Sequence, residues 1–428
     1  MLGIFLAAVL SLHCDGNPQL GGVSRRKAVG TAAGTVAAAS IRAPSTSAAA
    51  PSTSAAAPST SAAAPPLLRA SWSATAGFSS KDFIAFDEGA YKSMRDDERR
   101  TPLFQRAIEK RLDGKQGELV VLDIGTGPEA LLALMAARAG ARKVYAIEAN
   151  PEVAKRAVQA IANAEDVKPG TVTLVVGFST EVILPEKVDL VLAEIVGSVA
   201  SEEGAYATIR DAQARHLKDP YSPSSYIPIS IQTVAAPASY ALHYALGPPK
   251  FDWGKLDEPL RLNCRDETAQ LLAEPQVLEE ISFSSRMPPA GALVRRDLSW
   301  RISSERIRLN EMKYLDELRR EGASDAEAKP LAAAVARSLS GLAAWPRLVL
   351  DEQATLIVES RGERGEHQKS HWQTVLPLLS ARPVQVAADD RLNVRSSVAL
   401  GAKVDTPVQY TIEGGVEKAM SRIDVGYA

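Results

Sequence analysis

Three residues suited to holding a nucleotide-like ligand follow two neighbouring segments of the chain. Gly125 and Gly127 come directly after the apolar run 119–124, and Glu148 ends the next apolar segment. Glycines let the backbone approach a ligand closely, and a carboxylate at the end of the second strand accepts hydrogen bonds from vicinal ribose hydroxyls. That carboxylate repels a 2′-phosphate, so the pattern predicts a ligand with an unphosphorylated ribose. The alternative is an ordinary strand-to-helix turn, because Gly-x-Gly alone is weak.

A second group of acids follows the largely apolar run 188–193. Glu194 stands at its carboxyl end, where ligands bind in open parallel sheets, and Glu203 follows nine residues later. Two carboxylates that face one another are costly when both are ionised, unless a cation lies between them. The pair therefore predicts a site for a cationic group. For Glu202 and Glu203 the alternative is a polar loop beside Gly204, which does not explain Glu194.

These positions require a parallel sheet with helices between its strands. The run 119–124 is almost continuously apolar, as in a strand that is buried on both faces. After the glycines, Pro128 suits the first turn of a helix, and Gly140 can end it. The pattern predicts strand, glycine turn and helix, which is the repeating unit of an α/β fold.

The motifs around these residues resemble those of the protein arginine methyltransferases, a family of class I S-adenosylmethionine-dependent enzymes. The resemblance implies a Rossmann-like seven-stranded methyltransferase domain followed by an antiparallel β-barrel-like domain with a helical insertion. It covers roughly residues 83–428 and is densest from 91 to 204. The similar segments are 94–101, 121–127, 139–148, 194–203 and 370–375.

The resemblance implies S-adenosylmethionine as the cofactor. Arg100 takes the place of the arginine that grips the methionine carboxylate, which a planar guanidinium can pair bidentately. Thr180 stands where the family has the acid that holds the adenine amino group, and the adjacent Glu181 is expected to replace it. The cofactor-binding residues implied are Arg100, Asp123, Gly125, Gly127, Glu148, Thr180 and Glu181.

The resemblance also implies the chemistry of the acids. Glu194 and Glu203 are the expected catalytic residues, which share the five donors of a substrate guanidinium and orient one terminal nitrogen toward the sulfonium methyl. The arginine pKa, above about 12, makes prior deprotonation unfavourable, so the glutamates are expected to hold the charge away from the attacking nitrogen. Catalytic His371 is expected to hold the N-terminal helix, and Trp372 to offer the substrate cation a flat face.

The implied activity is methyl transfer to the guanidinium of protein arginine. Two alternatives stay open: a catalytically impaired cofactor-binding module and a small-molecule methyltransferase. The first arises because Ala130 replaces the third motif glycine, Tyr91 replaces a histidine, and Phe83 and Phe86 occupy the region of the expected tyrosines. The second is supported only by the possible plastid address of the N-terminal segment. Glu129 would repel a cofactor carboxylate if it pointed inward.

Residues 1–70 are predicted to be a targeting and low-complexity segment outside the fold. Residues 1–12 have the length of a signal-peptide core, and Ser24–Lys27 precede a second apolar unit. From Ala43 the heptapeptide APSTSAA occurs three times, without a side chain large enough to form a core. Two stacked signals favour organelle import, with a plastid as one candidate; a chance resemblance in a cytoplasmic or nuclear protein is the alternative. No membrane span is expected.

Beyond Pro228 the pattern changes to short alternating strands, which predicts an antiparallel barrel or sandwich. The predicted domains are 71–226, which holds the N-terminal helix and the cofactor fold, and 227–428. A helical insertion is expected at about 303–345, with Leu339 and Leu342 on its second helix, packed within the chain or against a partner. Residues 245–276 are the expected site of a dimerisation arm.

Charge and cysteine content limit the partners. Residues 1–70 carry five bases and one acid, which leaves 44 basic and 50 acidic residues in the rest of the chain. An acidic body favours basic partners over direct nucleic-acid binding, and the resemblance implies an arginine-containing protein substrate. Cys14 and Cys264 cannot form a disulfide framework or a four-cysteine zinc site, so no metal is predicted.

Overall fold

The computed structural model describes residues 67–74, 88–247, 251–401 and 406–419. The predicted targeting signals, the heptapeptide repeat, and Phe83 and Phe86 lie outside the described residues. Import into an organelle therefore stays a prediction.

A parallel sheet of five strands forms the N-terminal half, in the order β4, β3, β2, β5, β6. Every residue of β2 is buried, since β2 lies in the middle of the sheet. This sheet confirms the predicted α/β fold class, but seven strands were expected, and the chain instead enters a second sheet from Ser230. The strands are β2 (Val120–Ile124), β3 (Lys143–Glu148), β4 (Val172–Val176), β5 (Leu190–Leu192) and β6 (Tyr226–Ile227).

Five helices accompany this sheet. On α2, Phe104, Ile108 and Leu112 are buried at helical spacing and fix its inner face. The helix after the glycine turn begins at Leu131 rather than at Pro128, because Ala130 has a left-handed backbone with φ 45°. The helices are α1 (Glu88–Arg95), α2 (Thr101–Leu112), α3 (Leu131–Arg138), α4 (Pro151–Ala162) and α5 (Ala205–Arg215).

The C-terminal half is antiparallel. One sheet has the order β1, β18, β17, β11; the other runs β10, β7, β13, β15, β8, with β14 on β13 and β9 on β7. Both sheets contribute to one core, as Tyr410 and Ile231 illustrate, in agreement with the expected barrel-like domain. The strands are β7 (Ser230–Tyr240), β8 (Leu260–Asn263), β9 (Ala269–Leu271), β10 (Gln276–Ser282), β11 (Leu293–Arg301), β12 (Ser338–Leu339), β13 (Gly341–Val349), β14 (Ile357–Glu359), β15 (Gln373–Leu376), β16 (Val384–Gln385), β17 (Arg391–Ala399) and β18 (Gln409–Glu417).

The first strand, β1 (Leu68–Ser73), corrects the predicted boundary at residue 70. This strand pairs with β18 and belongs to the C-terminal sheet, not to the cofactor fold. Leu68 and Trp72 are buried, and the Trp72 ring stacks on Tyr410 with centroids 4.9 Å apart. The apolar burial of these two side chains keeps the segment 68–73 on the sheet.

The helical insertion is shorter than predicted. After the one-turn helix α6 (Ala241–Ala245), it comprises α7 (Ser304–Arg320) and α8 (Asp325–Ala336). Leu339 and Leu342, expected on the second helix, lie in β12 and β13, because their backbones pair with β16 and β7. The two helices pack within the chain, through a buried cluster that includes Ala241, Tyr314, Leu318, Ala332 and Val335.

The region expected to form a projecting arm is instead part of the barrel domain. Its described residues 251–276 include β8, which pairs with β15, and β9, which pairs with β7. Trp253 and Leu271 are buried. Within the described ranges no helix combines the length and apolarity needed to cross a membrane.

Candidate active site

The glycine turn lies at the carboxyl edge of the parallel sheet, between β2 and α3. Gly125 and Gly127 have φ values of 75° and 68°, a left-handed backbone that favours glycine. Ala130 adopts the same region and is fully buried, so alanine fills the place of the third glycine with its backbone strained. The ring of Tyr91 lies over the turn, 3.7 Å from the position a Cβ on Gly127 would take.

Two buried carboxylates, Asp123 and Glu148, stabilise this turn through hydrogen bonds. Asp123 accepts hydrogen bonds from the Thr126 hydroxyl (2.5 Å) and from the backbone N–H of Ala133 (3.1 Å). Burial raises the pKa of Asp123 to about 7, against these hydrogen bonds. Its described contacts stabilise the turn, so its predicted cofactor contact stays a prediction.

Glu148 occupies the position predicted for a ribose-binding acid. Its carboxylate accepts from the backbone N–H of Gly127 (3.0 Å) and of Asn150 (2.9 Å). Burial raises the pKa of Glu148, although these hydrogen bonds oppose the change. A hydrogen bond thus joins the glycine turn to Glu148, and the predicted ribose contact of Glu148 stays a prediction.

Arg100 links the N-terminal helices to Glu194, which follows β5. Its Nη2 forms an ion pair with Glu194, and both side chains are more than nine-tenths buried. Nη1 donates to the carbonyl of Met94 at 3.3 Å. The buried Nε has no hydrogen-bond partner among the described residues. One donor of the guanidinium is therefore free to meet an anionic group.

His371 fastens the segment between α1 and α2 to the barrel domain. Its Nδ1 lies 2.8 Å from a carboxylate oxygen of Asp97, and its backbone N–H donates to the same oxygen at 3.2 Å. Burial lowers the pKa of His371, while the hydrogen bond to Asp97 acts in the opposite direction. Burial alone would raise the pKa of Asp97, but the contacts with His371 outweigh it and lower that pKa. A neutral imidazole that donates to a carboxylate fits both directions.

The lowered pKa of His371 predicts how acid affects the fold. Protonation is easier in the unfolded chain, so the free energy of unfolding should fall as the pH drops below about 6.5. Between pH 7.5 and 5.5, the wild type should lose about 1 kcal/mol more than His371→Gln. Thermal unfolding across this range checks the difference.

His367→Gln is the control for this measurement. His367 is a second histidine with a pKa lowered by burial, to about 3, and it lies away from Asp97. His367→Gln should make the free energy of unfolding less dependent on pH by a similar amount. This result would show that the measurement detects the contribution of a single histidine. Parallel curves for wild type and His371→Gln would contradict the assignment.

The double-glutamate loop, residues 194–204, connects β5 to α5. Trp372 donates from Nε1 to the carbonyl of Val196 at 2.8 Å, and the backbone N–H of Gln373 donates to Ser198 Oγ at 3.1 Å. Glu202 forms an ion pair with Arg261 of β8 and accepts from the backbone N–H of Ser198. The barrel domain therefore braces this loop from several sides. The predicted cation-facing role of Trp372 stays a prediction.

Glu203 is the acid of this loop that remains available. It is partly buried, and no lysine, arginine or histidine of the described residues forms an ion pair with it. Burial, followed by the negative charges of Glu194 and Glu202, raises the pKa of Glu203 well above its usual value. The negative charge of Glu194 acts on Glu203, so the two carboxylates lie near one another, and their holding a cation between them stays a prediction.

Glu129 does not point toward the cofactor position. Its carboxylate forms an ion pair with Arg95 at 2.8 Å, at the surface end of α1. The repulsion of a cofactor carboxylate by an inward-pointing Glu129 is therefore absent from this arrangement. The ion pair instead links α1 to the glycine turn. Thr180 and Glu181 lie in the turn after β4, at the same edge of the sheet, where their adenine contacts stay predictions.

Sequence reasoning missed two residues of this site. Asp97 had a detectable signal, because it lies three residues before Arg100 in a charge-dense segment that resembles the family. Arg261 had none, since only folding brings it from β8 to a loop 59 residues earlier.

Comparisons with known proteins agree with this geometry. A family model described as ribosomal protein L11 methyltransferase matches residues 100–203, from Arg100 to Glu203. A protein arginine N-methyltransferase 10 of Oryza sativa subsp. japonica is 38% identical over 127 residues, which are 30% of this chain and 32% of that protein. The resemblance to the protein arginine methyltransferases is confirmed. The chain matches about a third of the length of such relatives in sequence.

Solved structures extend the likeness to the fold of the barrel domain. The structure titled Trypanosoma brucei PRMT1 enzyme-prozyme heterotetrameric complex with AdoHcy gives a TM-score of 0.57 at 18% identity, and covers 78% of this chain and 95% of that chain. Arabidopsis thaliana protein arginine methyltransferase 10, in an open conformation, gives 0.50 at 18% identity, over 76% and 97%. The fold is thus shared over most of both chains.

Proposed function

We propose that this protein transfers a methyl group from S-adenosylmethionine to the guanidinium of arginine in a basic protein. The observation that carries the proposal is Glu203, a partly buried carboxylate that lies near Glu194 and has no ion-pair partner among the described residues. A guanidinium supplies the positive charge and the five donors that such a pair can share. The methyltransferase family model over residues 100–203 supports methyl transfer, and the 38% identity to a protein arginine N-methyltransferase over 127 residues supports arginine as the acceptor.

The residues at the glycine turn fit the cofactor. Arg100 Nε is a buried donor without a described partner, which suits a carboxylate. Glu148 lies at the end of β3 and suits ribose hydroxyls, and the glycines at 125 and 127 leave room for the ligand beside the backbone. When bound, S-adenosylmethionine supplies a methyl group on a positively charged sulfur.

The chain's own residues then perform positioning and electrostatics. Glu194 is oriented by its ion pair with Arg100, and Glu203 is carried by the braced loop. Together they would hold the substrate guanidinium with its charge drawn away from the nitrogen that receives the methyl group. His371 keeps the N-terminal helices closed over the site through Asp97.

Labelled methyl transfer to an arginine-rich peptide tests the proposal. We expect transfer to this peptide and none to a matched peptide in which every arginine is replaced by lysine, since an ammonium cannot share a planar fork between two carboxylates. Cofactor binding by calorimetry without transfer to any arginine peptide would contradict the proposal and favour an inactive module. Transfer to small metabolites alone would favour a small-molecule methyltransferase.

A homodimer remains part of the proposal. The trypanosome structure that shares the fold is titled as a heterotetrameric complex, which supports oligomerisation here. The described part of the expected arm packs on its own barrel domain, so the contact surface would have to lie elsewhere.

A further inference from the structure

A buried carboxylate outside the site lies directly behind the double-glutamate loop. Glu279 of β10 is 3% exposed. Its Oε2 accepts hydrogen bonds from the Thr233 hydroxyl of β7 (3.0 Å) and from the Tyr410 hydroxyl of β18. The proposed reaction uses none of these three residues, so another role must explain an ionisable group in this core.

The carboxylate sets the direction of two contacts with the loop. Tyr410 gives its single proton to Glu279, so the Ser201 hydroxyl, 2.5 Å away, must donate to the Tyr410 oxygen. Thr233 also gives its proton to Glu279, which leaves its oxygen to accept from the backbone N–H of Ala200 at 2.9 Å. Ala200 and Ser201 immediately precede Glu202 and Glu203.

The same carboxylate influences the residue that follows the loop. Tyr206 lies in the first turn of α5, three residues after Glu203, and is buried. Burial, and then the negative charge of Glu279, raises the pKa of its hydroxyl. The Tyr206 hydroxyl has no hydrogen-bond partner among the described residues, so the direct contacts of Glu279 are those with Thr233 and Tyr410.

We propose that Glu279 is a positioning residue, which fixes Glu203 through the hydroxyls of Thr233 and Tyr410. The inference rests on the proposed function, because it assigns a role within the same site. One acceptor atom, Glu279 Oε2, orders both hydroxyls, and these hydroxyls hold consecutive residues of the loop. A weaker or missing acceptor leaves the hydroxyls free to reorient, and the loop then loses its fixed position relative to the substrate.

Three substitutions test the network. Glu279→Gln, Tyr410→Phe and Thr233→Val should each increase amide hydrogen exchange in residues 196–205 by about tenfold, the effect of losing one hydrogen bond. They should lower kcat about 10-fold to 100-fold and leave the cofactor Kd within about twofold, because the change lies at the acids and not at the glycine turn. Thr233→Ser keeps the hydroxyl and should restore both readouts.

Tyr314→Phe is the matched control. Tyr314 is also a buried tyrosine with a bonded hydroxyl, but it lies on α7 next to Ser239. Its substitution should leave exchange in 196–205 and kcat unchanged. The positioning role is wrong if all variants, Tyr314→Phe included, lower activity only in proportion to the fraction of unfolded protein. It is also wrong if Thr233→Ser does not restore amide exchange and kcat to wild-type values.

Hydrogen exchange separates this inference from the proposed function. If the wild type methylates no arginine substrate but the three variants still increase amide exchange in residues 196–205, the proposed function fails and the positioning role of Glu279 in the loop is supported. If the wild type is active but the three variants do not change amide exchange in residues 196–205, the positioning role of Glu279 is wrong and the proposed function is unaffected.

Discussion

Glu203→Gln should abolish methyl transfer and at the same time stabilise the fold. The variant keeps the shape of the side chain but removes the charge that would hold the substrate guanidinium. Loss of such a charged contact typically lowers kcat by about 10²–10³-fold. Labelled transfer to an arginine-rich peptide measures this loss.

The gain in stability follows from the raised pKa of Glu203. Because the folded chain binds this proton more tightly than the unfolded chain, stability is lost as the pH rises through the folded-state pKa. Glutamine removes that loss, so the variant should be more stable than the wild type by about 1 kcal/mol at pH 8, and the two should converge toward pH 4.5. Thermal unfolding at both pH values checks the sign.

The neighbouring Glu202 provides the control. Its carboxylate is paired with Arg261 and accepts from the Ser198 backbone, so Glu202→Gln should lower stability instead of raising it. If Glu203→Gln retains wild-type activity, or if Glu202→Gln is the one that abolishes it, the assignment of the two acids is wrong.

Arg100→Lys should weaken cofactor binding by about 10-fold to 100-fold, because lysine has no counterpart of the buried Nε–H that is free for the ligand carboxylate. Lysine keeps the charge but cannot at once serve Glu194, the Met94 carbonyl and a ligand carboxylate. Calorimetry with S-adenosylhomocysteine measures the affinity.

Arg99→Lys is the matched control for that measurement. Arg99 is the exposed neighbour of Arg100, and its substitution should leave the affinity unchanged. Equal affinities for Arg100→Lys and the wild type would remove Arg100 from the cofactor site.

The sequence predicts the parts of the site that depend on strand ends. Glu148 and Glu194 each follow an apolar run, and parallel strands bring their carboxyl ends to one edge, so their convergence follows from the pattern alone. Glu203 required the family resemblance, because a loop has no periodicity that fixes the direction of a side chain.

The rest depends on contacts between residues far apart in the chain. The ion pair of Glu129 with Arg95 could not be inferred, since the helix dipole favours an acid at that position whichever way it points. The alternation of the apolar residues Leu68, Ala70 and Trp72 with polar residues is typical of a strand. Because these residues directly follow the low-complexity segment, the sequence pattern favoured placing Leu68–Ala70 in that segment. The anchoring of Ser201 by Tyr410 spans 209 residues, and only the closed barrel domain shows it.

The pairing of β1 with β18 constrains the order in which the protein can be completed. Ser71 of the first strand bonds to Thr411 of the last described strand, 340 residues later. At translation rates of about 5–20 residues per second, roughly 20–70 s separate the emergence of these two strands from the ribosome. During that interval Trp72 has no Tyr410 to cover it, so the nascent chain exposes an apolar strand that chaperones can bind.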